Sequence, residues 1–197
     1  MRVIAGKYKS RQLKSVKSNL TRPTTDRNKE NLFNIIGPYF DGGAVLDLFA
    51  GSGGLGIEAL SRGYEHLYSV DNQYAAFQVI KENFTMLKLA NVHVYKLDYR
   101  KALKRFANEK LKFDLILLDP PYGKGLVDDI LEFLIVNEML NDECMIVVEE
   151  LKEVEFKPFK ELDLIKKNDY GITALNVFKF MAGEGDEEKY CGLCRNI

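Results

Sequence analysis

One tetrapeptide stands out for the chemistry its residue types allow. Asp119-Pro120-Pro121-Tyr122 follows directly on the apolar run Phe113-Asp114-Leu115-Ile116-Leu117-Leu118. The prolines stiffen the loop and remove two N–H donors. What is left is rich in acceptors: the Asp119 carboxylate and the Pro120 carbonyl, beside the flat face of Tyr122. An exocyclic amino group on a base presents two N–H donors and matches that pair of acceptors. A base also stacks well on an aromatic ring. The bland alternative is a rigid loop with an N-cap aspartate. All four residues are candidate catalytic residues.

A second segment, Val45-Leu46-Asp47-Leu48-Phe49-Ala50-Gly51-Ser52-Gly53-Gly54-Leu55-Gly56, reads as a strand running through a glycine-rich turn into a helix. Gly51, Gly53 and Gly56 satisfy the G-x-G-x-x-G pattern of nucleotide-binding turns. Glycines let the backbone approach a ligand, and the helix N-terminus offers unpaired N–H groups. Asp71 lies 20 positions after Gly51. A carboxylate there can accept both hydrogen bonds from a ribose diol. The alternative is a tight turn without ligand. Asp47 favours S-adenosylmethionine over NAD, because a carboxylate repels a pyrophosphate and attracts a cationic methionine end. Asp98, after the third strand, is placed to reach an adenine amino group, although aspartate is also a common helix N-cap.

The elements that must position these residues follow a β-α rhythm from residue 44 onward. Ala44–Leu48, Leu67–Val70, Val92–Tyr95, Phe113–Leu118 and Cys144–Val148 read as buried strands. Leu55–Arg62, Tyr74–Leu87, Arg100–Phe106 and Leu126–Val136 read as the helices between them. That alternation predicts a parallel sheet covered by helices on both faces. Leu162–Ile165 and Ala174–Phe180 are separated by Asn168-Asp169-Tyr170-Gly171, which is hairpin spacing, so the last strand should run antiparallel to its neighbour. Upstream, Val3, Ile4, Leu13 and Val16 suggest two short strands. A helix follows, with Leu32, Phe33, Ile36, Tyr39 and Phe40 at helical spacing and Gly37-Pro38 ending or kinking it.

The 197 residues are 46% hydrophobic and 29% charged, which is ordinary for a globular chain and excludes disorder or a fibrous repeat for the bulk. The net charge of −1 conceals an asymmetry. Residues 1–29 carry nine basic side chains against the single acid Asp26, a net of +8, which leaves −9 on the remainder. A basic arm on an acidic body suits a polyanionic partner; a solubilising, mobile terminus is the alternative. No apolar run reaches eighteen residues, and the opening MRVIAGKYKS lacks a signal-peptide core, so a cytoplasmic protein without membrane attachment is expected. Residues 1–40 would form the basic extension, 41–180 the main domain and 181–197 a polar tail. Cys191 and Cys194 in that tail form a lone C-x-x-C, and Cys144 sits in an apolar strand. With His66 and His93 standing apart, no metal site is expected.

The two motifs together resemble the amino-methylating class I methyltransferases. The upstream Arg22-Pro-Thr-Thr-Asp-Arg27, followed by Glu30-Asn-Leu-Phe-Asn34, resembles the RsmD family. So do the opening Arg2-Val-Ile-Ala-Gly and the closing Tyr170-Gly-x-Thr173. Lys29 stands where that family usually has Arg, and Asp71 where it usually has Glu. The resemblance runs from about Arg2 to Phe180. It implies a Rossmann-like α/β fold with a mostly parallel seven-stranded sheet, order 3-2-1-4-5-7-6. It implies S-adenosylmethionine as cofactor and the N2 of a guanine in 16S ribosomal RNA as methyl acceptor. Phe49, Ala50, Gly51 and Gly53 would shape the cofactor pocket. Asp71, with Asn72 next to it, would hold the ribose, Asp98 the adenine amine and Asp47 the methionine amine. Asp119 and Tyr122 would hold the target base. Lys7, Lys9, Arg11, Arg22, Thr24 and Arg27 would contact RNA, and a monomer is expected. The rival expectations are a DNA adenine-N6 methyltransferase, a non-catalytic RNA-binding assembly factor and an NAD-linked oxidoreductase.

Overall fold

A computed structural model describes residues 1–16 and 26–182. Its elements are α1 (Asp26–Ile36), β1 (Ala44–Asp47), α2 (Gly54–Ser61), β2 (His66–Asp71), α3 (Tyr74–Leu87), β3 (Val92–Lys96), α4 (Tyr99–Asn108), β4 (Phe113–Leu118), α5 (Leu126–Val136), β5 (Leu140–Leu151), β6 (Leu162–Tyr170) and β7 (Thr173–Phe180). The sheet order is β3-β2-β1-β4-β5-β7-β6. The first five strands pair in parallel, and β7 runs antiparallel between β5 and β6. The expected order and the antiparallel last strand are both present.

Strand periodicity decides which side chains meet which layer. Val45, Leu115, Leu117, Val147 and Val177 face the apolar cluster that also holds Leu32, Phe33, Ile57 and Ile80 from α1, α2 and α3. Leu46, Ile116, Leu118, Ile146 and Val148 face the opposite cluster, with Leu103, Phe106, Ile130 and Leu134 from α4 and α5. Neighbouring residues on each strand therefore serve different layers, and both faces are buried.

The N-terminal residues are docked. The expected strand pair reduces to a single antiparallel bridge, Arg2 with Gln12, around a turn. Three features fix it to the body. Val3 and Leu13 are buried in the same cluster as Leu32 and Phe33. Gly6, at φ +79°, lies against the carbonyl of Ser61 so closely that any Cβ would collide with it. The Ile4 and Ala5 N–H groups donate to the Glu58 carboxylate at 2.8 and 3.0 Å.

Glu58 is fully buried and is also paired with Lys29 at 3.2 Å and Arg62 at 2.9 Å. Lys29 Nζ additionally donates to the Arg2 carbonyl at 2.6 Å. Lys29, counted with the basic arm from sequence, is thus buried beneath it. Burial lowers its ammonium pKa, and the Glu58 charge opposes that fall. A mobile terminus is excluded for residues 1–16. At its end, the Lys14 N–H donates to Asn83 and the Val16 N–H to Ser52 Oγ, so the arm arrives beside the glycine-rich turn.

Candidate active site

The sheet has its switch point between β1 and β4: from β1 the chain winds outward to β2 and β3, then crosses to β4. In such sheets ligands gather beyond the carboxyl ends of the strands at that point. Asp47 pairs in register with Leu117, so Asp119 lies two residues above Asp47 on the next strand. Both acidic residues and the glycine turn therefore stand at one crevice.

The turn is built from local geometry. Gly51 and Gly53 have φ of +55° and +76°, which a side-chain-bearing residue rarely adopts. Gly53 is the N-cap of α2 in a left-handed conformation, and no side chain caps the helix there. The orphan N–H groups of Gly54 and Leu55 are then available to a ligand, that of Gly56 being taken by Asp47. A Cβ added to Gly51 would meet no heavy atom within 4 Å, so the backbone here forms an open cradle. Gly56 has a different role. A Cβ there would strike Leu67 and Asp47, so this glycine sets the closeness of helix and sheet. Ala50 is tied to Val70 by its N–H at 2.9 Å, and the Phe49 ring packs against Tyr99 at 5.5 Å.

Asp71 accepts from the Gly51 N–H at 2.9 Å and the Gln73 N–H at 2.8 Å, linking the cradle to the end of β2. Burial raises its pKa, and those N–H groups oppose the rise. Asn72 is exposed next to it. Asp98 caps α4, accepting from the Arg100 N–H at 3.0 Å through Oδ1.

Asp47 is buried and accepts from the Gly56 N–H at 3.2 Å. Its pKa is pushed up to about 7, first by desolvation and then by the charges of Asp119 and Asp71. Asp119 is likewise pushed up to about 7. The protein around the carboxyl desolvates it and Glu149 and Glu150 repel its charge, while a Tyr122 hydrogen bond opposes the rise. Asp119 still presents an exposed edge at the mouth of the crevice, and Pro120 beneath it is buried. Three carboxyls thus crowd one crevice. A pyrophosphate would be repelled there, while a ligand carrying an ammonium and a sulfonium would relieve the crowding. The open cradle and this acidic set fit S-adenosylmethionine.

Two acids overlooked in the sequence hold the tetrapeptide in place. Glu150 is buried, and its carboxylate accepts from the Gly123 and Leu151 N–H groups, both at 2.9 Å. Glu149 accepts from the Tyr122 hydroxyl at 2.9 Å. That bond fixes the Tyr122 ring at the mouth. Glu149 and Asp119 line one cavity together with Asn28 and Leu32 of α1, Leu55 of α2, and Tyr170. The available signal was two consecutive acids ending an apolar strand at the ligand-binding edge.

Of the expected RNA contacts, Lys7, Lys9 and Arg11 are exposed on the docked turn, and Arg27 is exposed on α1. Arg22 and Thr24 lie outside the described residues, as do Cys191 and Cys194. No helix among the described residues is long and apolar enough to cross a membrane.

The sheet order, the glycine cradle at the switch point and the acidic loop after β4 define a Rossmann-like protein of the class I methyltransferase type. Residues 1–179 match the family described as Conserved hypothetical protein 95, and the chain belongs to that family, the RsmD family indicated by its motifs. It is 46% identical over 181 residues to the YlbH protein of Bacillus subtilis (strain 168), covering 91% of this chain and 98% of that one. It is 33% identical over 184 residues to Ribosomal RNA small subunit methyltransferase D of Haemophilus influenzae, covering 91% and 93%. Among solved structures, the yhhF protein from Escherichia coli superposes with a TM-score of 0.81 at 31% identity, covering 92% of this chain and 98% of that one.

Proposed function

We propose that this protein transfers a methyl group from S-adenosylmethionine to the exocyclic N2 of a guanine in 16S ribosomal RNA, acting in the cytoplasm. One observation carries the reading: the acceptor-rich Asp119-Pro120 pair stands one strand away from a cationophilic cradle formed by Asp47, Asp71 and the Gly51 turn. The small-subunit substrate is supported by the relatives' names, and the guanine N2 by the motif resemblance.

When bound, the cofactor supplies an electrophilic methyl on a sulfonium. The chain's residues do the rest by positioning. The lone pair on a guanine N2 is delocalised into the ring and is a poor nucleophile. Hydrogen bonds from the two N2 hydrogens to the Asp119 carboxylate and Pro120 carbonyl would turn the lone pair toward the methyl. They would also stabilise the positive charge that grows on nitrogen in the transition state. As N2 takes up the methyl and the sulfonium becomes a neutral thioether, the N2 proton would leave toward Asp119, whose raised pKa suits it to accept. Tyr122 would stack on the base, which must be unpaired or flipped out to arrive. The Asp71 carboxylate would face the ribose, Asp47 the methionine ammonium, and the free Oδ2 of the Asp98 cap the adenine amine. The exposed Lys7, Lys9, Arg11 and Arg27 would meet RNA phosphates.

Asp119→Ala should abolish methyl transfer to undermethylated small-subunit RNA and leave S-adenosylmethionine binding, measured by calorimetry, within about threefold of wild type. Unchanged turnover in that variant would remove Asp119 from the chemistry.

A further inference from the structure

Glu149 is placed to touch the same base as Asp119. Leu118 and Val148 are register partners on the adjacent parallel strands β4 and β5, so Asp119 and Glu149 occupy the next rung. Such rungs stand about 4.8 Å apart. Both residues follow the pleat phase of Leu117 and Val147, which puts them on the same side of the sheet, and both line the same cavity.

The Glu149 carboxylate is held in one orientation. The Tyr122 hydroxyl donates to Oε1 at 2.9 Å, and the Thr173 hydroxyl stands 3.4 Å from the same oxygen, its single proton shared with the Tyr170 carbonyl at 3.3 Å. Among the described residues, no donor is bonded to Oε2, and no lysine or arginine pairs with Glu149 or Asp119. The contrast with Glu58 is informative. There, a carboxylate in the interior is neutralised by Lys29 and Arg62. At the active site, two like charges are set side by side with no cation among the described residues to neutralise them, and Glu149 raises the Asp119 pKa. A ligand with two adjacent N–H donors would relieve that repulsion.

We propose that Glu149 is a base-reading residue: its Oε2 accepts the N1–H of the target guanine while Asp119 accepts from the neighbouring N2 amino group. This rests on the guanine-N2 reading above and adds the reason for the choice of base. The Watson–Crick edge of guanine carries N1–H and N2–H donors side by side. Adenine offers an amino group next to an N1 lone pair, which a carboxylate repels. A carboxylate on the wrong side of that edge is a penalty, so one acid both attracts guanine and rejects adenine.

The test uses 2-aminopurine, which keeps the 2-amino group, replaces N1–H by a lone pair and lacks the 6-oxygen; only the change of preference in a Glu149 variant isolates the N1 position. Nucleoside mapping with the wild-type protein first locates the methylated guanine, and small-subunit RNA is then assembled with guanine or 2-aminopurine at that position. Wild type should prefer guanine in kcat/KM by about tenfold to a hundredfold, the range of a hydrogen bond to a charged group. Glu149→Gln should lose a similar factor on guanine, and its preference for guanine over 2-aminopurine should fall toward one. An amide can donate to the N1 lone pair, whereas a merely structural defect would lower both substrates alike and leave the ratio intact. An unchanged ratio in Glu149→Gln overturns the proposal. So does a wild type that accepts both bases equally, a result independent of whether the variant folds. If wild type methylates no guanine at all, the guanine-N2 reading itself fails, and this inference fails with it.

Discussion

Replacing Asp47 by asparagine should separate the cost of a buried charge from its use. Asp47 is buried at the end of β1, with one backbone N–H as its hydrogen-bond donor and two other acids nearby. Its carboxyl is held at about 7 against an ordinary 3.8. A difference of that size amounts to about 4 kcal/mol against the ionised folded state. The sign follows from the raised value. The protonated form favours folding, so the wild type keeps this stability below about pH 4, loses it progressively as pH rises, and has lost it above about pH 7. The Asp47→Asn side chain would keep an oxygen for the Gly56 N–H and carry no charge. The ligand-free variant should therefore match wild type near pH 4 and exceed it at pH 8 by up to about 4 kcal/mol. For a chain of this size that is on the order of 10 °C in melting temperature. Adding S-adenosylmethionine should narrow that gap at pH 8. At a hundred times its dissociation constant the ligand stabilises wild type by about 2.7 kcal/mol, whereas the variant has lost the partner for the ammonium. Thermal melts from pH 4.5 to 8, with and without ligand, measure both effects. A wild-type-minus-variant difference that stays flat with pH, or equal stabilisation of both proteins by the ligand, would refute the assignment.

Two further outcomes follow from the docked arm. Glu58→Ala leaves Lys29 and Arg62 as buried cations and frees the Ile4 and Ala5 N–H groups, so stability should fall by about 3–5 kcal/mol in urea unfolding; a loss below about 1 kcal/mol would show that this ion cluster does not hold the arm. Reversing Lys7, Lys9 and Arg11 to Glu should weaken small-subunit RNA binding and flatten its salt dependence by close to one unit of slope per lost phosphate contact, while melting temperature stays within a few degrees. Binding that is unaltered at low salt would assign the RNA contact to another face.

The layer structure was legible in the sequence because buried parallel strands are continuous apolar runs and amphipathic helices alternate with them. α3, β4 and α5 begin and end where the pattern says. β5 extends well beyond Cys144–Val148, to Leu140 and Leu151: Leu140 pairs with Phe113 of β4 ahead of an irregularity in register, and Glu149-Glu150 are recruited by pairing with β7. β6 reaches Tyr170, and Asn168 and Asp169 pair with β7 instead of forming the turn, which Gly171-Ile172 makes alone. An edge strand exposes one whole side, so its apolar period is weak. In the site, the glycine turn and the tetrapeptide were visible as local motifs. Glu149 and Glu150 were not, because their importance comes from the strand register that sets them beside Asp119. Lys29 was read as surface charge for a similar reason: its partner Glu58 is 29 residues away, and only packing joins them.

The central claim is a methyl transfer to one kind of atom. Labelled S-adenosylmethionine, small-subunit RNA lacking its methylations and the wild-type protein, followed by nucleoside mapping, test it most directly. Label should appear in N2-methylguanine at a single position and be absent with Asp119→Ala. Label on adenine N6, or none in any nucleoside while the cofactor is bound, would contradict it.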